Sequence, residues 1–175
     1  KDIIGEFAKH RRSQIESDRF HLFRQKGKLG PDRSVILEDG SSLTADRILI
    51  STGSEVSVPG VPGLSSTPFL TSDDILELDS VPDSMIVLGG GVVACELAQF
   101  LSRIGTKVTM IQRSTHILSD SEPDMAAVVE QAFLDEGIDL YTDTSIENIE
   151  QTENGVSIQF RQGRRSVIRQ AQYLF

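Results

Sequence analysis

The chain has 175 residues, of which 38% are hydrophobic, so it is long enough to build at least one domain around an apolar core. Its formal net charge of −9 argues against binding to nucleic acid or anionic membranes, because both require a basic surface. The sequence has no apolar run of about twenty residues and no signal-peptide pattern, so we expect a cytoplasmic protein without membrane contact. Its single cysteine excludes an internal disulfide, and we expect no metal site.

The first forty residues predict one helix and two strands. Apolar spacing predicts a helix from Gly5 to Glu16, and strands at Phe20–Leu29 and Ser34–Glu38. Asp39-Gly40 is typical of a tight turn after the second strand.

A third strand and a turn-rich connection follow. The dense apolar run Asp46–Ser51 predicts a strand that ends at Thr52-Gly53. Two Pro-Gly pairs between residues 59 and 63 then lie in a serine-rich stretch typical of an interdomain connection. We therefore divide the chain into a segment of residues 1–60 and a domain of residues 61–175.

The most informative part of the chain predicts a strand, a glycine turn, a helix and a second strand in succession. The run Met85–Leu88 predicts a buried strand, the helix is expected at Val92–Ile104 before Gly105, and the second strand at Lys107–Ile111. Small residues between the first strand and the helix fill the pattern G-x-G-x-x-G/A. This context favours a dinucleotide-binding unit over an ordinary glycine turn.

Each small residue of the pattern has a separate expected role. Gly89 permits the tight turn, Gly91 lets the backbone approach a pyrophosphate, and Ala94 leaves room for the helix to pack on the sheet. The helix start directs unpaired N–H groups and a positive dipole at the phosphates. The expected pyrophosphate contacts are Gly89, Gly90, Gly91, Val92, Val93 and Ala94.

The remaining sequence predicts a further helix and five strands. A helix is expected from Pro123 to Glu136 and a parallel strand at Ile138–Tyr141. Three antiparallel strands and a final apolar strand are expected at Ile146–Gln151, Val156–Arg161, Arg165–Arg169 and Ala171–Phe175. The predicted fold is α/β, with a Rossmann-like parallel sheet and an antiparallel β excursion.

The end of the second strand in the glycine unit predicts which coenzyme binds. Gln112 occupies the position where an NAD site usually carries Asp or Glu to accept the ribose 2′-hydroxyl, and Arg113 follows it. A neutral residue and a guanidinium favour NADPH, since arginine can bind the 2′-phosphate bidentately. An exposed arginine can also be simply solvated, so NADH stays the alternative.

Cys95 allows two interpretations. It lies in the first turn of the predicted helix, where the helix dipole lowers the pKa of a thiol, so a reactive thiolate is one hypothesis. A small apolar residue that packs against the sheet explains the position equally well, and we favour this interpretation.

Four segments of the chain carry a specific resemblance. They are ISTGSEVSVPGVPG, PFLTSDDILEL, GGGVVACELAQFLSRIGTKVT and AQYLF. They resemble parts of the flavoproteins that include glutathione reductase, dihydrolipoamide dehydrogenase and mercuric reductase. In order, these parts are the ATG segment with its proline-rich crossing, the entry to the pyridine-nucleotide domain, the cofactor helix and the strand that returns to the flavin domain. The likeness is strongest toward mercuric reductases, where Arg-Ser-Thr also follows the second strand, as Arg113-Ser114-Thr115 do here.

This resemblance implies a flavin-dependent oxidoreductase in which a hydride passes from NAD(P)H to FAD and then to the acceptor. Residues 1–60 would be an incomplete piece of the flavin-binding domain, with Thr52 and Gly53 near FAD. The family's FAD glycine loop, redox cysteine pair and C-terminal dimer domain have no counterpart in these residues. We therefore expect an excerpt of a longer protein, with FAD and a homodimer in the full-length protein and no activity from this part alone.

The resemblance also implies roles for single residues. Glu96 matches the helix glutamate beside nicotinamide and flavin, which makes it the candidate catalytic residue; the alternative is a partner of the helix dipole. Val92 stands where many relatives carry a tyrosine over the flavin, so aromatic gating is not expected. NADP-dependent relatives often carry a second arginine where this chain has Ser119, and His116 could partly replace it. The expected contacts around the ribose are Gln112, Arg113, Ser114 and His116.

The sequence thus predicts the NADPH-binding central part of a flavoprotein that resembles mercuric reductase, with a disulfide or metal-ion acceptor. Two alternatives stay open. One is an NAD-linked protein similar to dihydrolipoamide dehydrogenase, and the other is a non-catalytic nucleotide-binding module.

Overall fold

The computed structural model describes residues 2–16 and 19–175, which divide into two compact units, Lys1–Ser54 and Glu55–Phe175. The sequence-based boundary at residue 60 lies six residues beyond this division, within a stretch from residue 45 to 61 that has neither helix nor strand. The assignment of the two parts to flavin and NAD(P) binding stays a prediction. Within the described ranges, none of the helices is both long and apolar enough to cross a membrane.

The first unit contains one helix and a small antiparallel sheet. Its elements are α1 (Asp2–Ile15), β1 (Gly27–Gly30), β2 (Ser34–Leu37) and β3 (Ser42–Thr44). The strands pair in the order β1-β2-β3. Among the described residues of this unit, Ser34 and Leu37 are the buried ones. The helix, the second strand and the turn at Asp39-Gly40 follow the sequence pattern, with Asp39 accepting a bond from the N–H of Ser41 at 2.8 Å.

Two strand predictions in the first unit are wrong. Residues 20–26 are not a strand, and pairing begins only at Gly27. The segment Asp46–Ser51 is not a strand either, and Leu49 is 92% exposed. An apolar run becomes a strand only when another strand supplies its hydrogen bonds, and none in the described part of this unit pairs with it.

The second unit contains a parallel and an antiparallel sheet. Its helices are α2 (Ser72–Ile75), α3 (Val92–Arg103) and α4 (Pro123–Asp135), with a 3₁₀ turn at Leu64–Ser66. Its strands are β4 (Ser84–Leu88), β5 (Lys107–Ile111), β6 (Asp139–Tyr141), β7 (Thr144–Thr152), β8 (Gly155–Gln162), β9 (Arg165–Ala171) and β10 (Tyr173–Leu174). The parallel sheet has the order β10-β4-β5-β6, and β7-β8-β9 form the antiparallel sheet.

Alternation along β4 explains the layers of this unit. Met85 and Val87 pack with residues of α3 and α4, such as Leu101 and Phe133, in one buried cluster. Ile86, the residue between them, packs in a second cluster with residues of the antiparallel sheet. Because both faces of a parallel sheet are covered, its strands are nearly continuous apolar runs, which is why the sequence revealed them. The predicted α/β fold with an antiparallel excursion is confirmed.

Element bounds in the second unit differ from the predicted ones by one or two residues at most ends. The sequence analysis missed the single turn α2, although Thr71 and Asp74 form a capping box there. The N–H of Thr71 donates to the Asp74 carboxylate at 2.7 Å, and the hydrogen bonds to that carboxylate hold its pKa below the usual value.

Candidate functional site

Gly89 makes the turn from β4 into α3 possible. Its φ is +115°, a conformation that side-chain-bearing residues rarely adopt. Its N–H donates to the carbonyl oxygen of Ile111 at 2.9 Å, which joins the turn to the end of β5. The glycine pattern therefore follows a buried strand and opens a helix, as the dinucleotide motif requires.

The next two glycines have different surroundings. A Cβ built on Gly90 would lie 2.8 Å from Cγ2 of Ile117, whereas a Cβ on Gly91 would meet nothing within 4 Å. Gly90 is buried and Gly91 is exposed. Gly90 therefore gives room for a neighbouring loop, and Gly91 leaves the backbone accessible from outside.

The start of α3 is open to a ligand. Gly91 is the N-cap residue and has no side chain to accept from the helix. The first helical bond runs from the Cys95 N–H to the Gly91 oxygen at 2.9 Å, so the N–H groups of Val92, Val93 and Ala94 lie before the hydrogen-bond ladder. Val92 is 63% exposed and Val93 is 52% exposed. These N–H groups and the helix dipole favour an anion at this place.

A cleft of about 720 Å³ lies beside this turn, at the carboxyl ends of β4 and β5. Its volume is within the roughly 300–1,000 Å³ range of small-molecule sites. The chain runs outward from β4 through β5 to β6 and returns on the other side of β4 at β10, so the strand order reverses at β4. Doubly wound sheets bind ligands at such a switch point. The cleft is lined by Ser57, Pro59, Gly60, Val61, Pro62, Leu88, Gly89, Ile111, Gln112, Arg113, Thr144, Ser145 and Ile146.

The two residues expected to select the coenzyme both line this cleft. Gln112 is only 7% exposed, and its carbonyl oxygen accepts a bond from the Thr144 hydroxyl at 2.9 Å. Its side-chain amide is directed at the carbonyl oxygen of His116, 3.4 Å away. Arg113 is exposed, and its guanidinium has no hydrogen-bond or ion-pair partner among residues 2–16 and 19–175. The neutral side chain of Gln112 is thus held in place, and the positively charged side chain of Arg113 that follows it has no partner among the described residues.

Ser114 and His116 do not line the cleft, although they lie on the loop that follows Arg113. The Ser114 carbonyl oxygen accepts from the Asp143 N–H at 2.8 Å. Nδ1 of His116 is 2.7 Å from the Ile117 carbonyl oxygen, so Nδ1 is the protonated ring nitrogen there and Nε2 is left for another partner.

Cys95 is a packed side chain and not a reactive thiolate. It is 6% exposed, and its Sγ lies 3.6 Å from the Gly90 carbonyl oxygen. Burial, followed by the charges of Glu130 and Glu96, raises the pKa of the thiol to about 11. The thiolate hypothesis is therefore wrong, because desolvation outweighs the helix dipole.

The geometry of the cleft does not test the roles expected of Glu96, Thr52 and Gly53. Glu96 is exposed on α3, one turn after the glycine turn. Thr52 and Gly53 belong to the first unit, where both are exposed. The roles of all three stay predictions.

Sequence reasoning missed two parts of the cleft, the segment from Ser57 to Pro62 and the start of β7 at Thr144–Ile146. The Pro-Gly pairs marked the first part, but only as a connection. The second part has no local signal, because its place depends on where the chain leaves β6 and begins β7, next to the end of β5.

Known proteins similar to this chain agree on one family. The family model described as "Pyridine nucleotide-disulphide oxidoreductase" matches residues 2–174. A mercuric reductase of Bacillus cereus is 33% identical over 151 residues, which are 86% of this chain and 24% of that protein. A dihydrolipoyl dehydrogenase of Chlamydia pneumoniae is 34% identical over 147 residues, which are 82% of this chain and 32% of that protein.

The fold is also that of a solved flavoprotein. The HOCl-induced flavoprotein disulfide reductase RclA of Escherichia coli superposes with a TM-score of 0.82 and 22% identity, over 99% of this chain and 39% of that one. The chain spans 24% of the mercuric reductase and 32% of the dihydrolipoyl dehydrogenase.

Proposed function

The chain belongs to the pyridine nucleotide-disulphide oxidoreductase family, and on this basis we propose that it is the NADPH-binding central portion of a flavin-dependent oxidoreductase. In the full-length protein a hydride would pass from NADPH, by way of FAD, to a disulfide or a metal ion, as in proteins similar to mercuric reductase. The first unit would contribute Thr52 and Gly53 to the FAD side. We further propose that the full-length protein is a cytoplasmic homodimer.

One observation carries the proposal of a dinucleotide site. The open start of α3 and the cleft at the carboxyl ends of β4 and β5 meet at the glycine turn. The free N–H groups suit a pyrophosphate, and the adjoining cleft can take the adenosine ribose. The residues present therefore fit a pyridine nucleotide.

The choice of NADPH over NADH rests on the end of β5. Gln112 offers no carboxylate that would repel a 2′-phosphate, and Arg113 has an unengaged guanidinium at the cleft. A charge-assisted hydrogen bond from Arg113 is worth about 1.5–3 kcal/mol, which is roughly tenfold to a hundredfold in affinity.

Titration of the chain with NADPH and NADH, followed by nucleotide fluorescence, tests this proposal. We expect tighter binding of NADPH, and we expect Arg113→Glu to reverse the preference without lowering the melting temperature. Arg164→Glu is the matched control, because it makes the same charge change at an exposed turn between β8 and β9. Equal affinities in the unmodified chain, or the same reversal in the control, would overturn the assignment.

For Glu96 we propose a role in hydride transfer in the full-length protein. Glu96→Ala is then expected to slow reduction of the flavin by NADPH in stopped-flow experiments much more than it weakens NADPH binding. Glu153→Ala, at the exposed turn between β7 and β8, is the control. An unchanged rate of flavin reduction would leave Glu96 as a partner of the helix dipole.

A second candidate is an NAD-linked protein similar to dihydrolipoamide dehydrogenase, favoured by the 34% identity to that enzyme of Chlamydia pneumoniae. It predicts tighter binding of NADH in the same titration. The two candidates therefore predict opposite results in this titration: the first predicts tighter binding of NADPH, and the second predicts tighter binding of NADH.

A further inference from the structure

The loop that carries Arg113 is fixed to its surroundings at several points. We call residues 113–118, between β5 and α4, the selection loop. The Leu118 N–H donates to the Gly90 oxygen at 2.6 Å, and the Ser114 oxygen accepts from the Asp143 N–H at 2.8 Å. Leu118 has a φ of +50°, which a leucine adopts only where its surroundings hold it. The loop therefore has one defined position against the glycine turn.

A single side chain from another element completes this attachment. Oε1 of Glu130, a half-buried residue of α4, accepts the Ile117 N–H at 3.0 Å. Ile117 is fully buried and lies against Gly90, so its N–H depends on this carboxylate for its hydrogen bond. The other attachments use backbone atoms or the side chain of Gln112, the residue directly before the loop.

We propose that Glu130 is a positioning residue for coenzyme selection, which holds the selection loop so that Arg113 stays at the cleft. This inference rests on the proposed function. Arg113 would contact only the 2′-phosphate, which NADH lacks, whereas the glycine turn serves both coenzymes. Displacing the loop should therefore change the ratio of the two affinities and not merely lower both.

Two substitutions separate the reach of the side chain from its charge. Glu130→Gln keeps an oxygen at the same distance along the chain and removes the charge, whereas Glu130→Asp keeps the charge and shortens the side chain by one methylene group. We expect the NADPH-to-NADH affinity ratio to be unchanged in Glu130→Gln. In Glu130→Asp we expect this affinity ratio to fall at least about fivefold, which is part of the roughly tenfold to hundredfold effect ascribed to Arg113.

Gln131→Asp, at an exposed position of the same helix, is the control and should leave the ratio unchanged. Amide hydrogen exchange of the chain without nucleotide gives a second readout. We expect the Ile117 N–H to be protected in the unmodified chain and in Glu130→Gln, and to exchange faster in Glu130→Asp.

The outcomes distinguish the failure of each proposal. A chain that binds neither coenzyme, or binds both equally, contradicts the proposed function, and the exchange of Ile117 then still decides whether Glu130 holds the loop. A chain that prefers NADPH, with a Glu130→Asp variant that prefers it equally, overturns only the role of Glu130. A loss of preference in Glu130→Gln but not in Glu130→Asp would also overturn it, because charge and not reach would then matter.

Discussion

At the scale of single residues, the surroundings of a glycine decide its role. Gly90 and Gly91 are neighbours in one turn, and neither has a positive φ. A side chain on Gly90 would collide with Ile117, whereas a side chain on Gly91 would extend into open space. Both were expected to contact the pyrophosphate, which stays a prediction; in the structure Gly90 packs against Ile117, whereas Gly91 faces outward.

Gly91→Val and Gly90→Val therefore make a matched pair. Gly91→Val should lower NADPH affinity at least about tenfold by blocking the phosphates, with a stability loss of at most about 1 kcal/mol from a poorer helix cap. Gly90→Val should cost about 1–3 kcal/mol through overpacking, which lowers the melting temperature by roughly 2–12 °C. Titration and thermal melts of both variants measure this. Normal NADPH binding by Gly91→Val would mean that the site is misplaced.

At the scale of elements, α3 and α4 are joined by an ion pair on their exposed side. Nε and Nη2 of Arg103 contact the two carboxylate oxygens of Glu136 at 3.0 and 2.6 Å, and the Gln99 amide donates to the same carboxylate at 2.9 Å. Arg103 holds the pKa of Glu136 below its ordinary value of 4.5. The end of α3 is thereby fixed to the residue that follows α4.

The ion pair between Arg103 and Glu136 makes the free energy of unfolding depend on pH. A carboxylate whose pKa is lowered by folding stabilises the protein at pH values above the ordinary pKa of that carboxylate. This contribution is lost as the pH falls through the lowered pKa. Glu136→Gln should thus lower the melting temperature slightly at pH 7, and the difference from the unmodified chain should shrink as the pH falls below 7 and through the lowered pKa of Glu136. Melts across this range test it, with Glu153→Gln as the control. A difference that grows in acid would contradict the assignment.

Sequence patterns predicted the elements whose signals lie within their own residues. β4, α3 and β5 were predicted closely because buried parallel strands are continuous apolar runs and the glycine turn has its own signature. The strand expected at Asp46–Ser51 failed because strands depend on partners that composition does not reveal. Glu130 was missed for a related reason, since its bond to Ile117 crosses 13 positions without any local motif.

For the site, sequence reasoning found the glycine turn and the end of β5, and the structure brings Gly89, Gln112 and Arg113 to one cleft. It did not find the segment from Ser57 to Pro62 or the start of β7. These parts reach the cleft through tertiary packing, and a connection and a strand start look the same in sequence whether or not they line a cavity.

At the scale of the whole molecule, an extended stretch lies around the division between the two units. Residues 45–60 have no helix or strand and are exposed throughout. Apolar side chains such as Leu49 and Ile50 are among them. Such a stretch combines easily accessible backbone with few local hydrogen bonds.

Limited proteolysis should detect this stretch. Trypsin is expected to cut after Arg47 before it cuts anywhere in residues 84–175, giving a stable product that begins at Ile48, as measured by mass spectrometry. Arg47→Gln should remove this early product and leave the later ones unchanged. Cuts after Arg103 or Arg161 that appear as early as the cut after Arg47 would contradict the division into units.

The position of β10 beside β4 has a consequence for the order of folding. The two strands are adjacent in the sheet, yet the bond between Gln172 and Ser84 that accompanies their pairing joins residues 88 positions apart. Closing a loop of this length costs roughly 4 kcal/mol in chain entropy, and distant pairings of this kind form slowly. β4, which ends in the glycine turn, is therefore expected to pair first with β5, the next strand along the chain, and to gain β10 as its second neighbour late in folding.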